Sequence, residues 1–290
     1  MYEYSWLQWL LIFYIYCFLG WCFESTVVSV QQRRFVNRGF LRGPMLPIYG
    51  FGATMLLHIS LPLYAHPVQL FFWSMVAATV FEYLVGLIME TLFKVKYWDY
   101  SEHKFQFQGR ICLQSSLCWG LMGLILARFI HPPVESLVIH LPFVLLVVAA
   151  VGLTALFASD VAVSVRTALD LAKVLEELDK LREQADELRA QLSETAMVGL
   201  TNLSYRVDEA RGEWSEKMDD AKEQITDAVG DAKEQILQKL EQLQRSFDER
   251  AGGLKRTRKS LLRGNPTARS VRYDATLQKL KKHVGPKKHG

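Results

Sequence analysis

Long apolar runs recur through the first half of the chain. Residues 6–23 read WLQWLLIFYIYCFLGWCF without one charge, and the pattern resumes after Glu24 as far as Val30. Further runs cover residues 45–64, 68–93, 111–130 and 137–158. A helix crosses the hydrocarbon of a bilayer in about 20 residues, at about 1.5 Å each. The pattern therefore predicts an all-α, multi-pass transmembrane domain of about five spans over residues 1–159.

From Val174 the rhythm changes. Leu178, Leu181, Ala185, Leu188 and Leu192 follow with alternating gaps of four and three, flanked by charged residues. That is a heptad seam, and it predicts a long cytoplasmic coiled coil over residues 160–250. The seam falters at residues 195–204, where Gly199 and Asn202 weaken a helix. It resumes at Leu203, Val207, Ala210, Trp214 and Met218, then Ala221, Ile225, Ala228, Ala232, Ile236, Leu240, Leu243 and Phe247. Within it DAKEQITDAVG is followed at once by DAKEQILQKLE, an eleven-residue repeat that relaxes or reverses a left-handed supercoil. So polar a helix needs a partner, which is either a second copy of the chain or its own return across the break.

Charge divides the chain at nearly the same places. Residues 1–159 hold nine Lys/Arg and seven Asp/Glu, residues 160–250 hold 13 and 22, and residues 251–290 hold 12 and one. The last segment is a basic tail suited to anionic phospholipid, the nearest polyanion to a membrane-tethered chain, and nucleic acid is an unlikely partner. Asn265-Pro266 breaks it, and residues 270–282 have the pattern of a short amphipathic helix. Arg33, Arg34, Arg38 and Arg42 follow the first run, and Lys94, Lys96, Lys104 and Arg110 follow the third. The connections around His66 and at residues 131–136 carry no Lys or Arg, and Arg128 alone counts on that side. The positive-inside rule then puts the N-terminus outside a plasma (inner) membrane and the C-terminal region in the cytoplasm. Glu3 stands where a cleavable signal would carry cations, so no removed leader is expected.

Carboxylates inside apolar runs are the leading chemical signal, because a charge in hydrocarbon costs several kcal/mol unless it faces protein or water (about 2.5–3.5 on insertion scales). Glu24 lies near the basic end of the first run, Glu82 mid-way along the third, and Glu90 about two turns beyond. Glu82 reads equally as a structural hydrogen-bonded residue or as part of a site. In FVNRGFLRGPMLPIYGFGA (residues 35–53) a cationic turn runs directly into an apolar run. Asn37, Arg38 and Gly39 are expected to turn back at the interface, so that Arg38 and Arg110 neutralise Glu24 or Glu90. Gly50 and Gly52 allow close helix packing, here expected against the third run, or mark a broken, re-entrant segment. Asp99 and His103 lie in an aromatic, polar loop with no nucleophile placed beside them. Cys17, Cys22, Cys112 and Cys118 have spacings that do not converge on one helix face, so they read as packing residues and no metal is expected.

Five ordered stretches, FLGWCFES, FVNRGFLRGPMLPIYGFGA, FEYLVGLIMETLF, YWDYS and GRICLQSSLCWG, resemble the successive motifs of the CmpB-like family of ABC-transporter type IV proteins, over about residues 11–135. The resemblance implies a multi-pass membrane protein with a permease role. It draws attention to Gly20, Glu24, Asn37, Arg38, Gly39, Pro44, Gly50, Glu82, Glu90, Asp99, Gly109 and Arg110. No G-x-x-x-x-G-K-[ST] phosphate loop occurs, so any ATPase belongs to a separate chain. No G-x-S-x-G, H-E-x-x-H or G-x-G-x-x-G motif occurs either, and no enzyme activity or cofactor is expected. The expected function is a permease component of unknown substrate. Its alternative is a membrane-anchored scaffold without transport activity, and in either case homo-oligomerisation through the coiled coil is expected.

Overall fold

The computed structural model describes residues 3–209, 215–270 and 272–284. It is mostly helical. Four apolar stretches are long enough to cross a bilayer: Trp6–Gln32, Pro67–Phe93, Leu113–Ile139 and the first part of the long helix from Phe143. These make the protein a multi-pass helical membrane protein.

Helix α1 (Trp6–Gln32) opens on a capping box, in which Ser5 and Gln8 satisfy each other's backbone N–H, and it closes with Arg33 in the left-handed region. Helix α2 (Pro47–Ser60) departs from the expected second span. Its 14 residues reach only about 21 Å, short of the ~30 Å hydrocarbon core. The rest of the pass is non-helical chain that retraces α1. Val36 N–H donates to Ser29 Oγ at 2.9 Å, Arg38 N–H to Ser25 Oγ at 3.1 Å, and Leu46 N–H to the Cys17 carbonyl at 2.9 Å. Irregular backbone at such depth is tolerable where protein groups satisfy it, and here α1 supplies the acceptors. The second pass is thus partly irregular and partly helical, with Pro47 at the helix start, where its missing N–H costs nothing.

Both readings of the glycines meet here. A Cβ on Gly50 would lie 2.4 Å from Cys17 Sγ and 2.8 Å from the Phe13 ring, and one on Gly20 would lie 2.2 Å from Tyr49. The Gly50 surface therefore packs on α1, not on the third span as expected; Gly52 meets Phe81 of that span at ordinary contact distance.

Helix α3 (Pro67–Phe93) returns to the basic end. There β1 (Gln106–Phe107) and β2 (Ile111–Cys112) form a small antiparallel hairpin, with Cys112 capping helix α4 (Leu113–Ile125). A π-helical turn, Leu126–Ile130, joins α4 to helix α5 (His131–Ile139). Pro132 and Pro133 lack N–H groups, so the regular ladder cannot continue through them, and the wider turn absorbs the mismatch. Residues 131–136 were expected as an external connection; they are the start of α5 instead, and the fourth span extends to Ile139. His131 is buried, with Tyr4 Oη 2.9 Å from Nε2 and Tyr16 Oη 3.1 Å from Nδ1.

Helix α6 runs unbroken from Phe143 to Glu209, straight through the expected break near Gly199. Helix α7 (Ser215–Gly252) follows. Seam positions Ala210 and Trp214 lie outside the described residues, as do the side chains of Leu203, Val207, Met218, Ala221, Ile225 and Ala228. By compactness the chain forms two units, Val174–Leu254 and the remainder. Within the first of these, Arg250 pairs with Glu177 at 2.9 Å, and Leu175, Leu178, Phe247 and Ala251 are buried. The end of α7 therefore lies beside the start of this unit's part of α6.

The basic tail belongs to the same unit as the membrane helices. It forms helix α8 (Arg256–Gly264) and helix α9 (Asp274–Val284), which bury Leu262, Leu277, Leu280 and Val284. Arg269 and Lys96 exchange backbone hydrogen bonds of 2.6 and 2.9 Å, and Ser270 Oγ donates to the Lys94 carbonyl. The tail is a folded cover on the basic end of its unit, built on apolar residues spaced between its cations.

Candidate functional site

A cavity of about 600 Å3 lies among α1, α2, α3 and α4. Most of its wall is aliphatic or aromatic, and the two acidic side chains that line it are Glu24 and Glu82. The small side chains of Ala53 and Ala78 stand on its wall, while the Tyr49 ring fills the place beside Gly20.

Glu82 is 5% exposed and receives three hydrogen bonds from neutral donors. Tyr100 Oη donates to Oε1 at 3.0 Å, while Ser115 Oγ at 3.3 Å and Trp119 Nε1 at 3.1 Å donate to Oε2. The indole N–H can only donate, which holds Oε2 as an acceptor. Burial and the neighbouring Glu82 push the Tyr100 hydroxyl well above its ordinary range, so it stays protonated as a donor. Among the described residues no cation pairs with Glu82.

The other two carboxylates are paired. Glu90 lies 2.8 Å from Arg110 Nη2 and accepts a second bond from Nε at 3.0 Å, a two-pronged contact with both side chains largely buried. Glu24 accepts from Tyr49 Oη at 2.8 Å, with Arg38 Nε at 3.8 Å. Both arginines therefore stand where the expectation placed them, while Glu82 is reached by neither. Glu90 does not line the cavity.

The turn that holds Arg38 is fixed from several directions. Asn37 accepts from Trp21 Nε1 at 2.6 Å and donates to the Arg42 carbonyl at 2.7 Å. Gly39 has φ +133°, and a Cβ there would meet Leu46 at 2.7 Å, so the position favours glycine twice over. Asp160 of α6 accepts from the N–H groups of Arg42 and Gly43 at 3.2 and 2.7 Å. From the tail, Asn265 accepts from Arg38 Nη1 at 2.9 Å and donates to the Gly39 carbonyl at 3.1 Å.

Asp99 lies outside the cavity. It accepts from Ser101 and faces Arg269 at 3.5 Å. Burial raises its pKa, but the Ser101 hydrogen bonds and the charges of Lys96 and Arg269 outweigh that and hold its carboxyl below the usual range. These are structural contacts of the loop. The four cysteines are free, and no cluster of His, Cys, Asp or Glu among the described residues is placed to hold a metal ion.

Tyr49, Tyr100, Ser115, Trp119 and Asp160 were not singled out from the sequence. Four of them fall inside the quoted motifs LPIYGFGA, YWDYS and GRICLQSSLCWG, and their common signal is a polar or aromatic group beside an apolar run. Asp160, two residues past the run at 137–158, carries the same signal outside those motifs.

The family model described as "Putative ABC-transporter type IV" matches residues 11–165, and the chain belongs to that family. The match contains the cavity, all three membrane carboxylates and the turn. No curated protein and no solved structure matches the chain.

Proposed function

We propose that this protein is the membrane-embedded binding component of a transport system, with its cavity as the substrate site and ATP hydrolysis carried by a separate chain. The single observation that supports this most is the ~600 Å3 cavity, with Glu82 held at its wall by three donors. Ligand sites are typically apolar spaces of about 300–1,000 Å3 with a few placed polar groups, and this one has that character. The basic end faces the cytoplasm in this reading, since eight of the nine Lys/Arg of residues 1–159 lie in the two connections there.

The test is chemical. The full chain, purified in lipid nanodiscs, should retain small molecules that mass spectrometry detects. Ala78→Trp, which fills the cavity, should lose them while its helicity and elution profile are unchanged. An empty wild type, or an identical set in Ala78→Trp, would sink the reading.

The long α6 supports a second reading, a scaffold whose α6–α7 region associates as a coiled coil. The Glu177–Arg250 contact favours self-pairing of one chain. Native mass spectrometry of the full chain decides between them: Leu181→Asp with Leu188→Asp should dissociate an oligomer paired through the seam and leave a self-paired monomer's mass unchanged.

A further inference from the structure

We infer that the cavity is selective for a lipophilic monocation: an apolar or aromatic body carrying one ammonium or phosphonium charge and no anionic group. The inference rests on the reading of the cavity as a binding site and adds the class of its ligand.

Three features carry it. The cavity wall holds two carboxylates and no Lys or Arg. Glu24 already has Arg38 within 3.8 Å, whereas Glu82 has only neutral donors. A carboxylate withdrawn from water and left without a counter-charge is held ionised by an arriving cation and, when ionised, repels an anion. Around it stand Tyr49, Phe81, Tyr100 and Trp119. Aromatic faces attract cations electrostatically, most strongly when water is excluded, and they tolerate a bulky apolar body.

The same features exclude simpler occupants. A small hydrated metal ion would leave most of a ~600 Å3 apolar space unfilled, and no set of three ligating side chains converges among the described residues. A phospholipid would bring its phosphate into a space lined by two carboxylates.

The experiment uses probes of matched shape and opposite charge. Full-length protein in nanodiscs of uncharged net surface is equilibrated with tetraphenylphosphonium, tetraphenylborate or neutral triphenylphosphine oxide, and binding is measured by equilibrium dialysis against empty nanodiscs. Tetraphenylphosphonium should bind the wild type saturably, and tetraphenylborate should not. Glu82→Gln should weaken cation binding by about 10–100-fold, the size of one charge-assisted contact, while Glu82→Asp keeps most of it. Ala78→Trp should abolish it.

If triphenylphosphine oxide binds as well as the cation, and Glu82→Gln changes neither, the cavity is a ligand site without charge selectivity and this inference falls alone. If no probe binds and no small molecule co-purifies, the binding-site reading falls with it. The contrast between the two ions on the wild type requires no variant to fold, so a misfolded Glu82→Gln would not rescue a wrong inference.

Discussion

Arg110 and Arg245 both sit beside a glutamate, but in different surroundings. Arg110 and Glu90 are 12% and 15% exposed, in the unit built on the membrane helices; Arg245 and Glu241 are 76% and 71% exposed, along α7. In the first region polar side chains find partners chosen by the fold: Asn37 bridges Trp21 and the Arg42 carbonyl, and Glu82 collects three donors. Along α6 and α7 within Val174–Leu254 most of the described pairs are local, three or four residues apart on one helix face, as between Glu176 and Lys180, while Arg250–Glu177 joins the two helices. A desolvated charge must be matched, whereas an exposed one is matched by water if its neighbour is lost. The same two residue types therefore specify tertiary structure in one region and solubility in the other.

The largest effect that would break this contrast is at Arg110. Arg110→Ala leaves Glu90 without its partner and should cost about 3–5 kcal/mol, read as a large fall in the detergent unfolding temperature. Adding Glu90→Gln should restore part of it by removing the stranded charge. An Arg110→Ala protein as stable as the wild type would mean that the pair is hydrated.

Close packing comes next. Gly20→Ala puts a methyl where the Tyr49 ring lies, and overpacking of this kind costs about 1–3 kcal/mol. Because Tyr49 donates to Glu24, the displacement should also loosen Arg38. Tyr49→Ala in the same chain should recover much of the stability, and its failure to do so would show that Tyr49 does not pack on Gly20.

A smaller effect concerns the tail and pH. Burial, with Arg38 and Arg269 nearby and only partly offset by Asp274, pushes the Lys281 amine down to about 8. The unfolded amine titrates near 10.4, so between about pH 8 and 10.4 the undocked tail binds more protons than the docked one. Docking should therefore strengthen as pH rises through that window and be flat below it with respect to this group. Limited tryptic release of the tail should slow severalfold from pH 7.5 to 9.5 relative to Lys281→Met, which lacks the titration. Equal pH dependence in the two proteins would show that Lys281 is solvated.

The smallest effect is the control. Arg245→Ala should shift the unfolding temperature by the equivalent of about 0.5 kcal/mol or less. A loss comparable with that of Arg110→Ala would mean that α7 is covered by something in solution.

The long apolar stretches, the polar helical segment after them and the basic tail could be read directly from residue order, because hydropathy over about 20 residues and charge content depend on neighbours in sequence alone. So could the placement of Glu24, Glu82, Glu90, Arg38 and Arg110 against protein, since charges beside apolar runs must find partners. Which carboxylate meets which arginine was left open, and the distances in the folded unit assign Arg38 to Glu24 and Arg110 to Glu90. Hydropathy also counted residues 45–64 as one span, although the helix there is only Pro47–Ser60 and the irregular chain before it gives its N–H groups to α1, a distribution of backbone hydrogen bonds that no local pattern encodes. The last 40 residues were described by their charge and by the pattern of a short amphipathic helix at residues 270–282. Leu277 and Leu280 are fully buried among those cations, because an apolar face three residues wide gains its free energy only when another surface covers it. Sequence alone thus determined which segments avoid water and where charge is costly; only the tertiary structure decided what satisfies them, since long-range partners are fixed by the packing of elements and not by the chain between them.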